Sequence, residues 1–280
     1  MHSQTTIKRA LYLEPFLSIP KLTKLKLLGH YLKMPHLQVL ANLDLEIPEL
    51  VFDDYHNGLK KLDQGLPLEY ITNTKGFYES DFYVNENVLI PRPETEILVQ
   101  TAIDLNLPED YKAIDLGTGS GCIAISLAKK YPNSDWIAVD ISSKALEVAK
   151  KNIDLNAVKN INLKESNLLE SVPNKKFNLI TANLPYIGTQ KFAGVCEKTK
   201  RFEPNIALFS GSDGLDLYRQ LSKSLKDNKI EFDYLLAEFA DNQGLDLISV
   251  FKNDFPDLNY RLIKDLNQKE RILLIFQNVR

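Results

Sequence analysis

The segment from Tyr111 to Leu127, YKAIDLGTGSGCIAISL, decides how this chain is read. A short apolar run, Ala113, Ile114 and Leu116, ends in three glycines, Gly117, Gly119 and Gly121. An apolar-periodic segment follows at once, so the stretch reads as strand, tight turn and helix. Glycines in such a turn let backbone approach a ligand where a Cβ would collide. The spacing is G-x-G-x-G rather than the dinucleotide form G-x-G-x-x-G, and the lysine of a phosphate loop is missing, which points away from a pyrophosphate ligand. Downstream, Asp140 closes a second strand-like run, Trp136 to Asp140, where a carboxylate can accept both hydroxyls of a ribose. Glycine turn and acid together predict a nucleoside-bearing cofactor.

Around this centre, strand-like and helical patterns alternate. Helices are expected at Ser142–Leu155, Asp216–Lys226 and Gly244–Phe251, and strands near Ile161–Lys164, at Phe177–Ala182 and Tyr234–Phe239, with a final β-rich run at Arg271–Phe276. Such alternation implies a mostly parallel sheet covered by helices on both faces. Ligands of these sheets lie outside the carboxyl ends of the strands, and the glycine turn, Asp140 and residues 183–186 all follow strand ends. They are expected to converge in one cleft. Upstream, Gly76–Val84 alternates aromatic and polar residues around a turn, the pattern of a hairpin. The block Leu89-Ile-Pro-Arg-Pro-Glu-Thr-Glu96 comes next; its prolines fix an extended backbone and hold Arg92 in a defined direction, and a helix starting near Thr95 runs through Leu98 and Ala102. The same block also reads as a rigid linker with favourable first-turn charges at Glu94 and Glu96. Before it, Leu22, Leu25, Leu28, Tyr31 and Leu32 recur at helical steps between Pro20, Pro35 and Pro48. The expected organisation is a small helical domain over residues 1–73, a hairpin connector over 74–92 and an α/β domain over 93–280.

Composition narrows the classes. At 280 residues there is material for a large unit and a smaller one, and the net charge of −3 is spread over both signs, so no basic face for nucleic acid is announced. No window approaches the roughly 18 apolar residues of a membrane span, and the N-terminus has no long apolar core. A soluble, cytoplasmic protein is expected. Cys122 and Cys196 lack metal-ligand spacing, which predicts free thiols and no metal. All four histidines, His2, His30, His36 and His56, lie far upstream of the glycine turn without carboxylate or cysteine partners at motif spacing, so packing or surface roles are expected.

The second informative stretch is Phe177-Asn-Leu-Ile-Thr-Ala-Asn183-Leu-Pro-Tyr186. A strand here delivers an amide, a backbone carbonyl, a stiffening proline and a ring to the cleft mouth. The side-chain oxygen of Asn183 and the main-chain oxygen of Leu184 can together accept both hydrogens of one planar NH₂ group, and Tyr186 can stack on its plane. The alternative is an Asx-type turn closing a strand.

With these residues in place, the chain resembles the release factor glutamine N5-methyltransferases, the HemK or PrmC family, from about Gly65 to its end. The resemblance rests on Gly65-Leu-Pro-Leu-Glu-Tyr-Ile71, Leu89–Glu96, Asp115-Leu-Gly-Thr-Gly-Ser-Gly121, Val139-Asp140, Asn183–Tyr186, Phe202-Glu-Pro204 and Asp213-Gly-Leu215. It implies a Rossmann-like class I methyltransferase domain with a mostly parallel seven-stranded sheet, preceded by a helical domain that helps to grip a protein substrate. It further implies S-adenosyl-L-methionine as cofactor, held by Gly117, Thr118, Gly119, Ser120 and Gly121 along its methionine part, by Asp140 at the ribose and by Asn167 and Leu168 at the adenine. The implied reaction methylates the glutamine of the Gly-Gly-Gln motif in class I peptide-chain release factors. Asn183, Leu184, Pro185 and Tyr186 would hold that glutamine and carry the catalysis, with Asn183 also beside the cofactor. A monomer with no membrane or direct nucleic-acid partner is expected.

Three positions depart from the family pattern. Leu184 stands where the tetrapeptide usually has proline, Asn167 where an acid is common, and Leu168 where an aromatic often packs on adenine. The Asn-Leu-Pro-Tyr form is at home in ribosomal RNA adenine-N6 methyltransferases, which gives one competing reading. A non-catalytic module that binds release factor or cofactor is the other. The long segment before the glycine turn, the Pro-Arg-Pro block and the absence of net positive charge weigh against the RNA enzyme.

Overall fold

The computed structural model describes residues 5–172, 176–189 and 196–277; His2 lies outside them. The chain divides into two compact units, Met1–Asn73 and Thr74–Arg280.

The first unit is built from α1 (Ile7–Leu11), α2 (Lys21–Leu32), α3 (His36–Ala41), α4 (Glu49–Asp63) and α5 (Leu68–Thr72). Pro20, Pro35, Pro48 and Pro67 stand directly before α2, α3, α4 and α5, where a fixed φ and a missing N–H carry no penalty. A two-residue antiparallel pairing of β1 (Thr5–Thr6) with β2 (Glu46–Ile47), which no periodicity announces, ties the start of the unit to the segment between α3 and α4. Ile7, Leu25, Leu28, Tyr55 and Leu59 form its core. His56 packs between Phe16 and Phe52, and His30 lies edge-on to Tyr31, with burial lowering its pKa.

The second unit opens with the hairpin β3 (Lys75–Phe77) and β4 (Ser80–Phe82), followed by α6 (Glu96–Asp104). Then β5 (Lys112–Leu116), α7 (Cys122–Lys130), β6 (Asp135–Asp140), α8 (Ser143–Leu155), β7 (Ile161–Glu165) and β8 (Lys176–Ala182) alternate. The chain finishes with α9 (Glu197–Phe202), α10 (Asp216–Asp227), β9 (Glu231–Glu238), α11 (Gly244–Lys252), β10 (Asn259–Lys264) and β11 (Glu270–Phe276). Seven strands form one sheet in the order β10-β11-β9-β8-β5-β6-β7, and only β11 runs against the others. This is the mostly parallel sheet read from the alternation, in the class I methyltransferase form that the resemblance implies. Strand β10 was not expected: its half-buried, polar-studded NYRLIK belongs to an edge strand, whose period is diluted by solvent on one side.

The central strands are apolar on both faces. Ile114, Leu116, Ile137, Val139, Ile180 and Ala182 point to a core completed by Tyr218, Leu221 and Leu225 of α10 and Leu247 and Phe251 of α11. Their neighbours Ala113, Trp136, Ala138 and Leu179 point to the opposite core, shared with α6, α7 and the hairpin phenylalanines Phe77 and Phe82. The hairpin therefore packs as part of this unit. Among the described residues, no helix is long and apolar enough to cross a membrane.

Trp136 is the chain's single tryptophan and lies wholly inside the second unit. Its fluorescence reports that unit's unfolding. Phe82→Ala removes a fully buried ring beside Phe77 and is expected to cost about 3–5 kcal/mol in a denaturant titration followed by Trp136 emission; a loss below about 1 kcal/mol would show that the hairpin is peripheral to this core.

Candidate active site

The carboxyl ends of β5, β6 and β8 open onto a cleft whose walls lie wholly within the second unit. Glycine makes the turn after β5 possible: Gly117, Gly119 and Gly121 have φ of +67°, +55° and +80°. A Cβ at Gly121 would lie 2.9 Å from Ile125 Cδ1, one turn into α7, and 3.4 Å from Ala149 Cβ of α8, but it is the left-handed backbone that calls for glycine there. Asp115, at the end of β5 and 1% exposed, fastens this loop. It accepts from Thr118 Oγ1 at 2.6 Å and from Thr181 Oγ1 of β8 at 2.7 Å, and burial pushes its carboxyl up to about 6. Asn152 of α8 adds a second fastening by donating to the Ser120 carbonyl at 2.8 Å and to the Tyr83 carbonyl at 2.9 Å.

Asp140 ends β6 at the cleft wall. Its oxygens accept from the N–H groups of Gly119 and Ser142, each at 2.9 Å, so the carboxylate is aimed before any ligand arrives; burial raises its pKa against these bonds. Each oxygen keeps a lone pair for a further donor. Asn167 and Leu168 line the same cleft after β7, with Leu168 at φ +50° and the Asn167 amide donating to Glu170 at 2.8 Å. Cys122 also lines it, but burial pushes its thiol up to about 12, which leaves it inert.

From β8 come Asn183, Leu184 and Pro185, all lining the cleft. Asn183 Nδ2 donates to Thr95 Oγ1 at 3.1 Å. The amide oxygen is thereby the end left for a ligand. Leu184 is 3% exposed and packs in the core, its Cδ2 3.0 Å from the position of a Cβ on Gly117. The side chain that replaces the usual proline therefore fills space that the glycine leaves open. Tyr186 and Gly121 are not on the cleft wall. Tyr186 instead donates to Glu238 Oε1 at 3.1 Å and packs against the core.

The Pro-Arg-Pro and Phe-Glu-Pro blocks meet here. Glu203, almost fully buried, accepts from the Arg92 guanidinium and from the Ile90 N–H, which tethers the Pro204–Ala207 side of the cleft to the Leu89–Arg92 side. The Asp213-Gly-Leu215 block supports the tetrapeptide from behind: a Cβ at Gly214, φ +92°, would lie 2.0 Å from the Tyr186 carbonyl, and Gln243 Nε2 donates to that carbonyl at 3.0 Å. Sequence reasoning gave Thr95, Asn152 and Glu238 no part in the site. The signal for Glu238 was present, because an acid closes the apolar run Tyr-Leu-Leu-Ala-Glu238 just as Asp140 closes Trp-Ile-Ala-Val-Asp140. Among the described residues, no group of three His, Cys, Asp or Glu is arranged to hold a metal ion.

Comparison with known proteins gives the family and the fold. The family profile described as methyltransferase small domain matches residues 93–198. The release factor glutamine methyltransferase of Flavobacterium psychrophilum is 34% identical over 252 residues, covering 88% of this chain and 87% of the relative. This chain belongs to the release factor glutamine methyltransferase family. A second family relative, from Enterococcus faecalis, is 34% identical over 85% of each chain. The bifunctional methyltransferase of Rickettsia typhi is also 34% identical over 92% of this chain, which spans only 54% of that longer relative. The fold recurs in a solved methyltransferase from Pyrococcus furiosus, with TM-score 0.54 and 17% identity over 78% of this chain and 100% of that one.

For this member of the family, the Arg92–Glu203 pair is testable by itself. Arg92→Met leaves a buried carboxylate without its cation and is expected to cost about 1–3 kcal/mol by Trp136-detected unfolding. Adding Glu203→Gln, which keeps an acceptor for the Ile90 N–H, is expected to recover part of the loss; no recovery would mean that the arginine acts through packing.

Proposed function

We propose that this protein transfers a methyl group from S-adenosyl-L-methionine to the side-chain amide nitrogen, N5, of the glutamine in the Gly-Gly-Gln motif of class I peptide-chain release factors. The observation that carries the proposal is the Asn183 amide, fixed by Thr95 with its oxygen left to accept, on the wall of the same cleft as the glycine turn and Asp140.

The cleft suits the cofactor. The glycine turn is a cradle that Cβ atoms would fill, Asp140 keeps lone pairs for ribose hydroxyls, and Asn167 and Leu168 would take the adenine. When bound, the cofactor supplies an electrophilic methyl carbon already activated by its sulfonium charge. What is left to the protein is placement. A glutamine amide nitrogen is a poor nucleophile because its lone pair is delocalised; two acceptors, Asn183 Oδ1 and the Leu184 carbonyl, would hold both of its hydrogens and aim the nitrogen. Such orientation contributes on the order of several kcal/mol to a transfer barrier. Pro185 stiffens the turn that carries both acceptors. Because the carbonyl belongs to the main chain, Leu184 serves in place of proline. Tyr186 would act from behind the tetrapeptide rather than by stacking on the substrate, in keeping with its bond to Glu238. The first unit would grip the release factor, and the enzyme would work as a cytoplasmic monomer.

Labelled cofactor offered with a purified release factor or with ribosomal RNA tests the assignment. Label is expected on the release factor glutamine; label on RNA adenine would transfer the site to the competing enzyme class, and label on neither would leave a binding module. Asn183→Ala is expected to lower the transfer rate at least about 100-fold with cofactor affinity nearly unchanged by calorimetry. Asp140→Ala is expected to weaken cofactor binding about 10-fold or more, and an unchanged dissociation constant would place the ribose elsewhere. Leu184→Pro is expected to keep activity.

A further inference from the structure

The acceptor carbonyl of Leu184 belongs to a peptide unit with no N–H of its own, because the nitrogen is that of Pro185. Such a unit takes its orientation from the residues on either side. Upstream, the Leu184 side chain is held in the core at 3% exposure. Downstream, the anchor is Tyr186, and it is gripped twice. Its hydroxyl donates to Glu238 Oε1 at 3.1 Å, and its carbonyl accepts from Gln243 Nε2 at 3.0 Å.

Gln243 sits in the turn between β9 and α11, 57 residues beyond Tyr186, and is 3% exposed. Both ends of its amide are engaged. Nε2 donates to the carbonyls of Tyr186 and Asp213, at 3.0 and 2.8 Å, and Oε1 accepts from the Ala240 N–H at 2.9 Å. With two carbonyls at one end and an N–H at the other, only one orientation of the amide is satisfied. One side chain thus joins the segment after β8, the loop before α10 and the turn after β9. Gly214 leaves the room: at φ +92°, a Cβ there would fall on the Tyr186 carbonyl and lie 2.7 Å from Gln243 Nε2. Beyond Tyr186 the attachment continues, since Ile187 pairs with Phe209 and its N–H donates to the Leu208 carbonyl at 3.0 Å.

We propose that Gln243 is a positioning residue for methyl transfer: by fixing the Tyr186 carbonyl it sets the direction of the Leu184 carbonyl, the second acceptor for the substrate NH₂. The inference rests on the amide-clamp reading of the site. The cofactor side is fastened by other groups, the glycine turn by Asp115 and Asn152, and Asp140 by Gly119 and Ser142. Loss of the Gln243 bracket therefore loosens the acceptor side alone. Two acceptors aim an amide nitrogen only while both point at its hydrogens, so a misdirected carbonyl lowers the transfer rate more than it lowers binding.

The test uses the full chain with an intact class I release factor as acceptor. Gln243→Glu keeps an acceptor for the Ala240 N–H and removes both donors. Gln243→Met, of the same length, removes them without burying a charge and replaces the first variant if the carboxylate prevents folding. Either is expected to lower kcat about 10-fold or more, with the KM for release factor, the cofactor affinity by calorimetry and Trp136 emission as in the wild type. Because the two acceptors act as a unit on one nitrogen, adding Gln243→Met to Asn183→Ala is expected to cost much less than Gln243→Met costs alone. A wild-type kcat in the folded variants overturns the inference and leaves the methyl-transfer reading standing. So does a fall in kcat matched by an equal loss of cofactor affinity, or one that multiplies in full with that of Asn183→Ala, since either marks a general loosening of the unit. Loss of the native Trp136 emission in both variants makes Gln243 a residue of the fold and overturns it as well. Retained transfer in Asn183→Ala would instead remove the clamp on which both readings rest.

Discussion

The cleft depends on one buried carboxylate. Asp115 lies near the end of β5, an interior strand of the sheet with β6 on one side and β8 on the other, and it bonds the hydroxyls of Thr118 in the glycine turn and Thr181 in β8. Both bonds are short, at 2.6 and 2.7 Å, and both are made where water is excluded. In such surroundings a charge-assisted hydrogen bond is strong and an unpaired one expensive. The loop and the strand that carries Asn183 are thus referred to a single point. Their separation is set by the sheet rather than by any ligand.

From that point the site grows by the same device. Asp140 ends β6 and bonds Gly119, Glu238 ends β9 and bonds Tyr186, and Glu203 is held by Ile90 and Arg92. Each is an acid at or beyond the carboxyl end of the sheet, and each ties down a segment that has little regular structure of its own. Parallel strands bring these ends to one edge, which is why residues as distant as 92 and 203 or 95 and 183 meet. Loops pinned in this way can carry reacting groups on a rigid scaffold. The glycines complete the arrangement by allowing Leu184 and Ile125 to come close to the turn.

Much of this was legible in the sequence, for identifiable reasons. The alternation of strands and helices, the glycine turn and the prolines before α2, α3 and α4 are local signals, each read within a dozen residues. Edge strand β10 was missed because only one of its faces meets the core. Tyr186 was expected to face the substrate because a ring beside an amide suggests stacking; its hydroxyl instead finds Glu238, a partner fifty-two residues away. Thr95 was read only as a helix start, yet it supports Asn183 across eighty-eight residues. Long-range pairings between single polar side chains leave no period in the sequence, so they became visible only once the sheet had brought its strand ends together.

The ionisation of these acids separates what serves the fold from what serves the site. A carboxyl whose folded pKa exceeds its unfolded value supports the folded state fully below the unfolded pKa, and this support is lost as pH rises through the folded pKa. Asp115 moves from 3.8 to about 6 and Glu238 from 4.5 to about 7, both chiefly through burial. Near neutral pH each charge therefore weakens the fold relative to acid conditions. An apolar residue at either position would escape that cost, as Ala237 and Leu236 do one and two places before Glu238, both fully buried. Asp115 at least has both oxygens bonded. Glu238 keeps Oε2 without a partner in the interior, a cost with no return in packing. Its other oxygen takes the Tyr186 hydroxyl, so what this acid returns is the placement of the segment after β8 and not the stability of the sheet.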